Sequence, residues 1–99
     1  MLQTIHNENT MLVKVSTDIH FENSHQLEVD LVELVVPNEA EKMVIDFENV
    51  RFIDSTGISY LIKWLHPLSE KIPIEIIGAS EPVKKILEIC KIDQFVKVV

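Results

Sequence analysis

Phe52-Ile53-Asp54-Ser55-Thr56-Gly57-Ile58 is the stretch on which the reading of this chain turns. On its N-terminal side, Met43-Val44-Ile45-Asp46-Phe47 is a short run of β-formers that suits a central strand covered on both faces. On its C-terminal side, Ile58, Leu61, Ile62 and Leu65 recur at helical spacing, and Pro67 should kink or end that helix. The heptapeptide is therefore a strand-to-helix junction. Junctions at the C-terminal ends of strands are where open α/β sheets carry function. Ser55 or Thr56 falls at the helix N-terminus, where free N–H groups and the helix dipole favour an anion. The same residues also fit an ordinary cap, with Asp54 or Ser55 accepting the first N–H groups.

Outward from the junction, the elements alternate. Leu2 to His6 and Met11 to Ile19 alternate in polarity around an Asn7-Glu8-Asn9 turn and read as a hairpin, with Met11, Val13 and Val15 on one face. Asn23 or Ser24 caps a helix in a capping-box-like arrangement with Gln26. Leu27, Leu31, Leu34 and Val35 form its apolar face, and Pro37 closes it. Beyond the junction, Ile74 to Ile77 is a strand ending at Gly78. Ser80 caps a further helix with Pro82 in its first turn and Val83, Ile86, Leu87 and Cys90 as its buried stripe. Phe95 to Val99 reads as a last strand. The expected order is ββαβαβαβ: an α/β domain over residues 1–99 with a mixed, mostly parallel sheet, an N-terminal antiparallel hairpin and about three helices. Whether the helices cover one face or both is open at this point.

Composition narrows the function classes. Ninety-nine residues with 46% apolar content make one domain with a single core. A net charge of −7 argues against binding nucleic acid or an anionic lipid surface. No apolar run approaches the ~20 residues of a membrane helix. A lone Cys90 and no evident signal peptide imply a reducing, cytoplasmic setting. Enzyme readings fare badly. His6, His20, His25 and His66 form no ligand spacing, so no metal is expected. Gly57 and Gly78 alone cannot build a glycine-rich phosphate loop, and no cofactor is expected. Ser55 lacks the Gly-x-Ser-x-Gly elbow of a hydrolase nucleophile.

Asp54-Ser55-Thr56-Gly57, with the strand Val44-Ile45-Asp46-Phe47 and the bridge Glu48 to Ile53 before it, resembles the signature of STAS domains. These include bacterial anti-sigma factor antagonists and the cytosolic domains of sulfate transporters. Gly78 to Val83 is similar to the family's later strand-to-helix step, and Leu87 to Phe95 to its last helix and turn. The resemblance implies a protein-interaction switch rather than an enzyme. In the antagonists, the serine after the motif aspartate, here Ser55, is phosphorylated by an anti-sigma factor that is a Ser/Thr kinase with a histidine-kinase-like ATPase fold. Phosphorylation releases the partner, and a PP2C-type phosphatase reverses it. Asp54, Thr56 and Gly57 match the neighbouring motif positions.

Three departures accompany the match. Thr17-Asp18-Ile19-His20 stands where the family often has Gly-Glu-Leu-Asp, a loop that commonly helps contact the kinase, which makes Asp18 and His20 candidate partner contacts. Lys91 replaces a frequent glycine, which suggests a different helix ending. The chain stops after the last strand, where typical antagonists carry one more helix. Short STAS proteins of that kind include a subunit of bacterial phospholipid importers that binds an ABC ATPase without phosphorylation, an alternative reading. Nucleotide binding, suggested for some members, has no support in these residues.

One feature stands apart from the resemblance. Tyr60 and Trp64 are four residues apart and fall roughly opposite the stripe Ile58, Leu61, Ile62, Leu65. Two aromatics on the outer face beside Ser55 would suit a binding hot spot. They equally fit packing under a neighbouring element.

Overall fold

The structure is a computed structural model that describes residues 2–20, 22, 25–26, 29–30 and 40–99. Strands β1 (Leu2–Asn7) and β2 (Thr10–Val15) form the expected antiparallel hairpin, registered from Leu2 against Val15 to Asn7 against Thr10. Glu8 takes a positive φ of 56° in the tight turn between them. β2 is shorter than its alternation suggests. It ends at Val15, and Ile19 instead makes an isolated parallel bridge to Ile53.

Strand β3 (Lys42–Asp46), helix α1 (Ser55–Ser69), strand β4 (Ile74–Ile77), helix α2 (Glu81–Ile89), a 3₁₀ turn (Ile92–Gln94) and strand β5 (Lys97–Val98) follow. The sheet order is β1-β2-β3-β4-β5, antiparallel between the first pair and parallel thereafter. The mixed, mostly parallel α/β architecture is thus the one the sequence predicts. The helix expected between β2 and β3, with its Asn23 or Ser24 cap, its Leu27, Leu31, Leu34 and Val35 face and its Pro37 stop, lies largely outside the described residues. His25, Gln26, Val29 and Asp30 are helical, and Gln26 Nε2 donates to Asp30 Oδ1 at 2.9 Å.

Successive parallel strands are laid down in one direction across the sheet, so right-handed connections place α1 and α2 on the same face. The burial pattern agrees. Met11, Val13, Val15, Met43, Ile45, Ile74 and Ile76 turn one face of the sheet into the core, against Ile58, Leu61, Leu65, Val83 and Leu87. β3 is accordingly fully buried on alternate residues only, which corrects the expectation of a strand covered on both faces. On the opposite face Lys42 and Lys97 flank Glu75. The Lys42 hydrogen bond, with the charges of both lysines, holds the Glu75 carboxyl below its ordinary range.

Four local expectations are corrected. Ile62 is 36% exposed and leaves the α1 stripe, whose buried members are Gly57, Ile58, Leu61 and Leu65. Pro67 does not end α1, which runs on to Ser69. Only Val83 and Leu87 of the α2 stripe are fully buried, with Ile86 and Cys90 half-buried against the core. Residues 95 and 96 belong to the turn before β5, because both N–H groups donate back to the Ile92 carbonyl at 3.1 Å. The helix ending at Lys91 is also not of a different kind. Lys91 adopts φ 62°, ψ 24°, the left-handed conformation that a glycine would supply there.

Candidate functional site

The site begins with a loop tied onto the segment that leads into α1. The Ile19 N–H donates to the Phe52 carbonyl at 3.0 Å, and the Asp54 N–H donates to the Ile19 carbonyl at 3.2 Å. Asp18 Oδ1 accepts the Arg51 N–H at 2.6 Å and the Phe52 N–H at 3.2 Å. Asp18 therefore works first as a clamp between two chain segments. Charge-assisted bonds of this type are stronger than neutral ones. His20 Nδ1 accepts the Glu22 N–H at 3.1 Å, and its ring stands 6.4 Å from that of Phe52.

Asp54 decides the capping question. It is the N-cap of α1 in extended conformation, and its Oδ1 accepts the Gly57 N–H at 2.8 Å. The cap is neither Ser55 nor Thr56. Ser55 is the first helical residue and is exposed, while Thr56 is half-buried. The first-turn N–H groups of Ser55 and Thr56 have no acceptor within the helix. Ser59 Oγ donates to the Ser55 carbonyl at 3.1 Å, one turn along. Gly57 is where α1 passes under the Ile19 loop, too close for a side chain.

Of the residues singled out in the sequence, Asp18, His20, Asp54, Ser55, Thr56 and Gly57 come together at this junction. Tyr60 and Trp64 do not stand on a solvent face: both are half-buried and packed against the core. The reason is geometric. At about 100° per residue, counting Ile62 as core swings the stripe's centre away from Trp64. With Ile62 removed and Gly57 counted, the centre falls between Leu61 and Leu65, about 75° from Trp64. Lys63 Nζ meanwhile stands 5.9 Å from the Tyr60 ring centroid.

The exposed apolar residue at the junction is Phe52, 52% exposed. Sequence reasoning passed it over. The available signal was alternation: Ile53 turns into the core, so Phe52, its neighbour in extended chain, turns out. A cleft lined by His20, Glu22, Phe52 and Asp54 opens beside Ser55. Among the described residues no group of three His, Cys, Asp or Glu is placed to hold a metal ion, and no helix is long and apolar enough to cross a membrane.

A five-stranded sheet of this order, with Asp54 capping the helix after β3 and Ser55 as its first residue, defines an α/β fold of one recognisable kind. The STAS-domain family model matches residues 1–99, and the chain belongs to that family. Comparison with curated proteins gives no match. Several solved structures share the fold. The Thermotoga maritima protein TM1081, described as an anti-sigma factor antagonist, superposes with a TM-score of 0.81 at 16% identity, over 98% of this chain and 84% of that one. An anti-sigma factor antagonist from Mycobacterium paratuberculosis gives 0.74 at 19% identity, over 99% and 83%. The Bacillus cell fate determinant SpoIIAA in its phosphorylated form gives 0.66 at 12% identity, over 100% and 91%.

Proposed function

We propose that this STAS domain is a phosphorylation-controlled protein-interaction switch of the anti-sigma factor antagonist type, with Ser55 as the phosphoacceptor. The observation that carries the reading is the position of Ser55: exposed, first in α1, and next to a cap that Asp54 already supplies. The hydroxyl is thus released from structural duty. A phosphoryl group there would add about −1.5 to −2 charges and three acceptor oxygens. The helix N-terminus favours that charge, so the domain stays folded. The net charge of −7 and the adjacent Asp54 make the modified surface more acidic, which opposes an interface formed around an unmodified serine.

The partner in this reading is an anti-sigma factor acting as a Ser/Thr kinase with a histidine-kinase-like ATPase fold, and a PP2C-type phosphatase restores the unmodified form. The domain itself catalyses nothing, and the exchange takes place in the cytoplasm. Phe52, His20 and the Ser55 end of α1 form the contact surface, and the exposed ring of Phe52 supplies its apolar centre. Affinity capture with wild type and Ser55→Glu, read by mass spectrometry, tests the proposal. A kinase-fold partner retained by wild type and lost by the variant supports it. An ABC ATPase retained by both would replace it with the transporter-subunit reading.

A further inference from the structure

We infer that β1 is a self-association edge, through which two copies of this chain join antiparallel into one continuous sheet. β1 is the outer strand of the sheet and six residues long, Leu2 to Asn7. The hairpin turn closes on Asn7 paired with Thr10, so Asn7, Ile5 and Gln3 point their N–H and C=O groups at β2. The alternate residues Leu2, Thr4 and His6 point theirs outward, along an edge that no described strand covers. Edge strands are ordinarily blunted by charge, proline, a bulge or shortness. β5, at the other edge, has two residues and carries Lys97. β1 has none of these devices: Leu-Gln-Thr-Ile-His-Asn holds no Lys, Arg, Asp, Glu or Pro, and its register with β2 is unbroken.

The occupant of the edge is a second copy because the strand complements itself. Antiparallel pairing centred on Thr4 sets Thr4 against Thr4 across a two-fold axis and Leu2 against His6 on either side. All three outward-facing residues of each strand then form hydrogen-bonded pairs, six bonds in total. The strand is uncharged when His6 is neutral, in a chain of net charge −7. Pairing along this edge therefore sets no acidic side chain of one β1 against another. The side chains agree with the same register. On the sheet face away from the helices, Ile5 stands opposite Leu12, and Leu12 opposite Val44. Ile5 is 57% exposed at the end of that row. In the dimer the two Ile5 side chains become diagonal neighbours, within reach of each other. The apolar row then runs unbroken from Val44 of one copy to Val44 of the other.

A single strand pair is a small interface, below the ~1,200 Å² of a standard one, so the dimer forms reversibly with concentration. Sedimentation velocity on the full chain from micromolar to about 1 mM is the test, covering affinities down to the millimolar range. Wild type should rise from 11.4 kDa towards twice that mass. Thr4→Pro removes an outward N–H and leaves the β2 ladder whole, so it should keep the wild-type thermal midpoint while weakening dimerisation about tenfold or more. Ile5→Lys places two like charges as diagonal neighbours across the axis and should act in the same direction by a separate route. A mass that stays at 11.4 kDa throughout, or a dimer that both variants leave intact, would overturn the inference.

Discussion

Gly57 lies directly beneath Ile19: a β-carbon at position 57 would stand 2.5 Å from the Ile19 carbonyl oxygen and 2.7 Å from its Cγ2. The same carbonyl accepts the Asp54 N–H, and the Ile19 N–H is held by Phe52. The motif glycine and the loop after β2 are therefore one structural unit. The glycine lets the loop sit on the helix start, and the loop in turn fixes the backbone on either side of Ile53.

Gly57→Ala should consequently destabilise the domain although alanine is the better helix former. Removing glycine from a helix gains at most about 1 kcal/mol. Forcing a methyl group against a backbone carbonyl costs about 1–3 kcal/mol. The clash should win, lowering the urea midpoint with an unchanged slope. A variant more stable than wild type would show that the loop moves aside freely.

Asp54→Ala should cost about 0.5–2 kcal/mol through loss of the cap, and Asp54→Asn should restore most of it. The pair separates the acceptor oxygen from the charge. Chemical denaturation of the two variants checks this. Equal losses in both would mean that the carboxylate charge, rather than the bond to the Gly57 N–H, stabilises the helix start.

Much of this architecture is legible in the sequence, and the misses have physical causes. Element order follows from hydrophobic period, because periods of 2 and 3.6 are hard to confuse over runs such as Thr10–Val15 and Ser55–Ser69. The junction at Asp54 is legible because a cap residue stands directly before the helical period of Ile58, Leu61 and Leu65, a short connection after β3. The Ile19–Ile53 bridge is not legible. It pairs residues distant in the chain, and no local pattern at Ile19 distinguishes a strand's last residue from a separate contact. The clamping role of Asp18 is not legible for the same reason, since its partners are backbone N–H groups of Arg51 and Phe52. The face of α1 was misjudged on one residue, Ile62, because hydrophobicity alone does not say which apolar side chain at the edge of a stripe is covered.

Lys91→Gly should stabilise the protein. A non-glycine residue at φ 62° pays the steric penalty of the left-handed region, about 1–2 kcal/mol. Glycine removes that penalty but loses more chain entropy on folding, about 0.5–1 kcal/mol. The expected net gain is about 0.5–1 kcal/mol, read as a higher thermal midpoint. A lower midpoint would mean that the lysine side chain makes a compensating contact.

Glu75 predicts a pH dependence. Its folded-state carboxyl titrates below the ordinary value of 4.5, chiefly through the Lys42 hydrogen bond. The unfolded state therefore takes up this proton first as pH falls. The contribution is fully present above 4.5 and is lost as pH drops through the lowered folded value. Wild type and Glu75→Gln should differ in stability near neutrality and converge in acid. A gap between their denaturation midpoints that stays constant from neutral pH into the acid range would remove Glu75 from the account.

Phe52 and Trp64 offer the sharpest contrast, because these two large aromatics, one before α1 and one within it, have opposite environments. Phe52 is 52% exposed, so Phe52→Ala opens no cavity and should shift the denaturation midpoint little. If its ring is the apolar centre of the partner contact, the same change should weaken binding by about 2 kcal/mol or more, the usual hot-spot threshold. Trp64 is packed against the core from one side of α1. Trp64→Ala should therefore destabilise the fold by about 2–3 kcal/mol, somewhat below the ~3–5 kcal/mol of a fully buried aromatic. Affinity of the folded fraction should change little. One denaturation curve and one binding isotherm on each variant decide the matter. Unchanged binding in Phe52→Ala together with lost binding in folded Trp64→Ala would move the contact surface from the junction to the flank of α1.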